Sequence, residues 1–192
     1  MYDFLLDHAQ ETNRAFLIWF IFFVPIELII HEFGHYYFQR KFGMRVLIFR
    51  IGIFNLFSQV LKNGTKVIIG IPTIMAESRC IGELGDEAQE KDNPEALYYR
   101  YRHPKEQLIV AVAGPLVTLS ACAMIIGFYY LTWLTLKIPV SFDLMFCFAL
   151  VIGNELVNLL IPFKIGPFGT DAWIAVRALK DWWYFSNKNP AV

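Results

Sequence analysis

The sequence predicts a membrane α-helical protein with three transmembrane helices, a small β-hairpin or sheet in the first cytoplasmic loop, and a C-terminal helix lying in the membrane interface. Two kinds of observation lead there. The 192 residues are 56% hydrophobic and only 18% charged, with a mean hydropathy of +0.44, which is too apolar for an ordinary soluble domain. Three segments are also long and apolar enough to cross a bilayer, since about 20 residues at 1.5 Å rise span roughly 30 Å of hydrocarbon. The length fits one integral-membrane domain over residues 1–192.

The first helix is predicted over about residues 15–38. Its leader carries Asp3, Asp7 and Glu11 against Arg14, the wrong charge for the n-region of a secretory signal, so it is read as a retained helix. The loop 39–106 has two textures. Phe42 to Ile74 is rich in Val, Ile and Phe, and an Asn63-Gly64 turn sits between apolar flanks, which signals a hairpin. That hairpin serves either to cover the helices or to pair with an extended ligand. From Glu77 to Glu106 the chain turns polar and mostly acidic, with Gly82, Gly85 and Pro94, as a solvated loop does. The second helix, about 108–136, is the clearest, since nothing from Leu108 to Leu136 is charged. The third, about 144–163, carries one acid, Glu155. Residues 171–185 mix Trp173, Trp182, Trp183 and Tyr184 with Arg177 and Lys180, the composition of an interfacial helix.

Charge placement orients the chain. Arg40, Lys41, Arg45, Arg50, Arg100, Arg102, Lys105, Lys164, Arg177 and Lys180 flank one side, against Arg14 and Lys137 on the other. The cation-rich side is expected to be cytoplasmic, with the N-terminus outside, the C-terminus inside, and the cell membrane as the location. The ends of the first and third helices then share one membrane face. Lys plus Arg and Asp plus Glu both total 17, so there is no basic excess to bind phosphates and nucleic acid is not an expected partner. Cys80, Cys122 and Cys147 form no C-x-x-C pair, which argues against a disulfide framework or a thiolate zinc site.

The chemistry begins at His31-Glu32-Phe33-Gly34-His35. On a helix, residues four apart stack on one face, so both imidazoles can reach one zinc while the glutamate beside them takes a proton from water. At this chain's own residue frequencies the pattern arises by chance in roughly one such chain in 200, so location must add weight. It does, because two histidines with Glu27 and Glu32 near the end of a membrane helix are costly unless they serve a polar site. Glu27, four residues before His31, is placed either to accept that ring's second N–H or simply to meet water.

A zinc held by two histidines needs a third protein ligand and an open position. At the cytoplasmic end of the third helix the chain runs Asn158-Leu159-Leu160-Ile161-Pro162-Phe163-Lys164-Ile165-Gly166-Pro167-Phe168-Gly169-Thr170-Asp171-Ala172. Prolines and glycines at membrane depth are tolerated only where the backbone lines protein or a wet cavity. Asp171 follows this break, and the residues alone leave it open between a third ligand and a helix-start acid favoured by the dipole.

His31-Glu32-Phe33-Gly34-His35 in one membrane helix, with an asparagine and a proline break leading to an aspartate after a later one, resembles the site-2 protease family of intramembrane zinc metalloproteases. The resemblance covers the helical core. It implies one zinc per chain on His31, His35 and Asp171, Glu32 as general base, Asn158 as the group that polarises the scissile carbonyl, and a transmembrane protein in the bilayer as substrate. A Gly-Pro pair typical of the family appears as Gly114-Pro115. Three features depart from the pattern: Asp171-Ala172 replaces Asp-Gly, Asn158 and Asp171 are 13 residues apart, and Thr118 stands where asparagine is common.

The loop is too short for a PDZ-type domain, and residues 171–192 are too few for a nucleotide-sensing tail, so a bare three-helix core is expected. No regulatory partner is readable. Two rivals stand beside this reading. A prenyl-protein-processing type of membrane protease also uses H-E-x-x-H but takes a glutamate as third ligand, for which Glu155 is the candidate. A non-catalytic metal-binding or partner protein would have no need of Glu32.

Overall fold

The computed structural model describes residues 12–80, 102–138, 141–165 and 168–188; most of the acidic stretch predicted as a solvated loop lies outside them. Three helices are long and apolar enough to cross a membrane: α1 (Thr12–Lys41), α2 (Pro104–Leu136) and α3 (Phe142–Leu160). They bury little of themselves against protein, and Phe16, Ile21, Phe22, Phe128, Leu131 and Leu160 are among many large apolar side chains left outside, as in a protein whose solvent is lipid. The chain is a membrane protein.

Each helix departs from regularity where its sequence requires it. Pro25 has no N–H to offer one turn back, and just before it α1 passes through a π turn at Trp19–Phe23, with Val24 N–H donating to Trp19 O. α2 starts cleanly because Pro104 occupies the first turn and His103 accepts from Lys105 N–H. α3 ends at Leu160, short of the predicted 163, because Ile161 precedes Pro162 and is held in an extended conformation.

Between α1 and α2 lie β1 (Val46–Val60) and β2 (Lys66–Cys80). They form an antiparallel pair closed by a turn in which Gly64 N–H donates to Leu61 O, Thr65 N–H donates to Asn63 Oδ1, and Gly64 takes φ +84°. Val60 faces Lys66 and Phe57 faces Ile69 near that turn. The start of β1 faces both halves of β2: Ile51 is opposite Ile69 on one side and Ala76 on the other. The register shift is made at Gly52 and Phe54, both at positive φ. β2 continues through Glu77 and Ser78, which the sequence assigns to the polar loop. Buried Gln39 of α1 explains why, since its amide donates to Ser78 O and accepts from Ser78 Oγ, tying this polar run to the helix.

Beyond α3, a two-residue ladder pairs β3 (Lys164–Ile165) with β4 (Phe168–Gly169), and α4 (Asp171–Lys188) follows. Met44, Val46, Cys80 and Val110 form a core at the end of the bundle that carries the sheet, with Ile174 of α4 against it. Cys122, Phe148 and Val151 form another at the far end.

Candidate metal centre

The buried face of α1 is polar at four-residue intervals: Glu27, His31, His35 and Gln39. A helix brings residues four apart onto one stripe, so a single rotation of α1 turns all of them inward while Phe33 faces outward. α2 meets this stripe at glycines. A Cβ on Gly34 would lie 2.8 Å from Ala113 O, and a Cβ on Gly114 would come 2.8 Å from His31 Nε2 and closer still to His35 Nε2. The Gly-Pro pair therefore gives the imidazoles their room.

Asp171, in the first turn of α4, completes the cluster. Its Oδ2 lies 3.0 Å from His31 Nε2 and its Oδ1 lies 3.3 Å from His35 Nε2, while the two Nε2 atoms are 3.0 Å apart. The 13-residue spacing from Asn158 is taken up by the β3–β4 ladder, which Thr170 fastens at its base. The Thr170 hydroxyl donates to Ile161 O and accepts from Phe163 N–H, and the Thr170 N–H donates to Phe163 O. Ala172 lies inside the helix, so the residue that follows the aspartate needs no glycine conformation here.

The tautomers follow from the partners. His35 Nδ1 faces Val110 O at 2.7 Å, and His31 Nδ1 faces both oxygens of Glu155 at 3.0 and 2.9 Å. Carbonyl and carboxylate oxygens only accept, so both Nδ1 atoms carry hydrogen, and each ring in its neutral form then has its Nε2 lone pair to offer a metal. These two nitrogens and a carboxylate oxygen all lie within 4.8 Å of one another, close enough to bind one cation, with the rings' second protons as the alternative occupant of that space. The donor set of two nitrogens and one oxygen fits zinc.

A cavity of about 690 Å³ opens over the cluster, lined by Glu27, His31, Glu32, Asn158 and Asp171 together with Met75, Ala76 and Glu77 of β2. Glu32 and Asn158 thus share one space with His31 and Asp171 of the three converging residues. Two sequence expectations are corrected. Glu27 does not meet His31 Nδ1; it accepts from Asn154 Nδ2 at 2.6 Å, and Glu155 of α3 takes the place beside the ring. Glu155, the rival third ligand, thereby occupies the Nδ1 edge of His31, away from the Nε2 atoms that converge with Asp171. Neither partnership was readable, because both depend on how α3 is rotated against α1. For Gln39 a signal existed, since it continues the four-residue polar rhythm of α1.

Fold and cluster together define a membrane helix bundle with a His–His–Asp centre whose two histidines are buried. Residues 19–180 match the profile of peptidase family M50, most of the chain. The chain belongs to that family, the site-2 proteases. Among curated relatives, a protein of Thermotoga maritima named "Putative zinc metalloprotease" is 29% identical over 105 residues, covering 55% of this chain and 21% of the relative. One of Neisseria meningitidis described in the same words is 28% identical over 111 residues, 58% of this chain and 24% of the relative. One of Streptococcus pneumoniae is 36% identical over 75 residues, 38% of this chain and 18% of the relative. In these three cases the match spans less than a quarter of the relative's length.

Proposed function

We propose that the chain is a zinc-dependent intramembrane endopeptidase that cuts transmembrane or membrane-associated proteins, with one zinc held by His31, His35 and Asp171. The observation that carries this reading is the convergence of two Nε2 atoms and a carboxylate beside a cavity that also holds Glu32. Bound there, zinc supplies Lewis acidity, which polarises a carbonyl and makes water a stronger acid. Glu32, next to His31 in sequence and on the cavity wall, takes the proton of the attacking water and returns it to the leaving amine. Asn158 donates its amide N–H to the oxygen of the scissile carbonyl, where negative charge develops.

A transmembrane substrate has its backbone bonded within its own helix and must open into an extended form to be cut. β2 offers that form a template. Among the described pairings Ala76 and Glu77 have β1 on one side only, and both line the cavity. An extended substrate segment adds to this edge by main-chain hydrogen bonds. The excess of cations beside this end of the bundle supports a cytoplasmic site, with the N-terminus outside. The prenyl-processing alternative loses its main support with Glu155 on the Nδ1 edge of His31, and Glu32 on the cavity wall favours catalysis over metal carriage.

The test is metal analysis of the purified full chain. Wild type is expected to hold one zinc, and Asp171→Ala to hold almost none while keeping its helical circular dichroism. Wild-type zinc content in Asp171→Ala overturns the ligand set.

A further inference from the structure

We propose that Glu155 is a positioning residue for the metal centre: by accepting the Nδ1 hydrogen of His31 it fixes that ring's tautomer and rotation and so sets the affinity of the Nε2 side for zinc. The inference rests on the zinc reading of the site but goes beyond it, to a residue outside the donor set. Glu155 lies on α3, 124 residues from His31, and is fully buried. A carboxylate shut inside a membrane bundle is costly without a partner. Both of its oxygens are within 3.0 Å of one atom, His31 Nδ1. The neighbouring acid does not compete for that ring, because Glu27 is bonded to Asn154.

The two imidazoles are thus held differently. His35 Nδ1 donates to the backbone carbonyl of Val110, which any residue at 110 except an obstructing one supplies, whereas His31 depends on one side chain. A carboxylate behind a ligating imidazole raises the ring's basicity as well as fixing its orientation, and losing such a partner typically lowers metal affinity 10- to 100-fold.

The experiment compares wild type, Glu155→Gln and Glu155→Leu as the full chain in detergent, with zinc affinity read by competition against a chromophoric chelator. The leucine variant is expected to bind one zinc with a Kd raised about 10- to 100-fold, and the glutamine variant, which keeps an acceptor but loses the charge, to fall between. Proton NMR of the cobalt(II)-loaded protein supplies a readout that a packing role leaves untouched. Two exchangeable ring N–H signals are expected, and Glu155→Gln should move one of them while leaving the other in place. If the leucine variant fails to fold, the glutamine affinity and spectrum decide. Unchanged Kd and unmoved signals in Glu155→Gln, with wild type binding one zinc, overturn this inference alone. A wild type that binds no zinc overturns the site reading together with it.

Discussion

At the end of the bundle that carries the sheet, the described helices bury Glu27, His31, Glu32, His35, Gln39, Thr118 and Glu155 beside Val110, Ala111 and Ala113, whereas at the far end they bury Cys122, Phe148 and Val151 with Trp19, Phe23 and Leu144 packed around them. The helices also approach one another differently. Near the His–His–Asp cluster Gly34 and Gly114 bring α1 and α2 so close that a Cβ at either position collides, while Gly127, further along α2, has nothing within 4 Å of where its Cβ would be. At the far end contact is made by side chains, with Phe23 and Phe148 edge to face at 5.6 Å and the Arg14–Asp143 pair bridging α1 and α3. Apolar contacts tolerate some slip because dispersion is undirected. Partnered polar groups do not, because each depends on a particular atom of another helix. One end of the molecule is built for position and the other for adhesion.

Glycine substitutions sharpen that contrast most strongly. Gly114→Ala is expected to displace both imidazoles and abolish stoichiometric zinc, at a packing cost of about 1–3 kcal/mol. Gly127→Ala should leave zinc content at one per chain and change stability by no more than about 1 kcal/mol, in the favourable direction. Equal zinc content in the two variants would erase the distinction drawn between the two ends.

A smaller effect is expected at the far end. Arg14 reaches Asp143 through two hydrogen bonds of 3.0 and 3.2 Å, but the arginine is largely exposed. A double-mutant cycle with Arg14→Ala and Asp143→Ala should give a coupling below about 1 kcal/mol in thermal unfolding, with zinc content unchanged in every variant. A coupling of several kcal/mol, or a loss of zinc, would mean that the far end also sets the geometry of the site.

What the sequence disclosed follows the same division. The three long helices were legible because lipid demands continuous apolar runs. The histidine pair was legible because ligand spacing on one helix is local, and the hairpin because Asn63-Gly64 is a local turn signal. Asp171 could be located but not placed, since a ladder fastened by Thr170 carries it to His31 and His35. The exchange of partners, Glu155 for His31 and Asn154 for Glu27, was hidden. It is fixed by the rotation of α3 against α1, which periodicity within either helix does not encode. The same holds for Gly114, whose spelling beside Pro115 was visible while its contact with two imidazoles was not.

The central claim is that Glu32 moves protons at a metal held by other residues. Its most direct test is Glu32→Gln in the purified full chain, assayed together for zinc content and for cleavage of a membrane-inserted protein substrate. The account predicts one zinc per chain, as in wild type, with cleavage abolished. Cleavage near the wild-type rate by a zinc-loaded Glu32→Gln protein would contradict it.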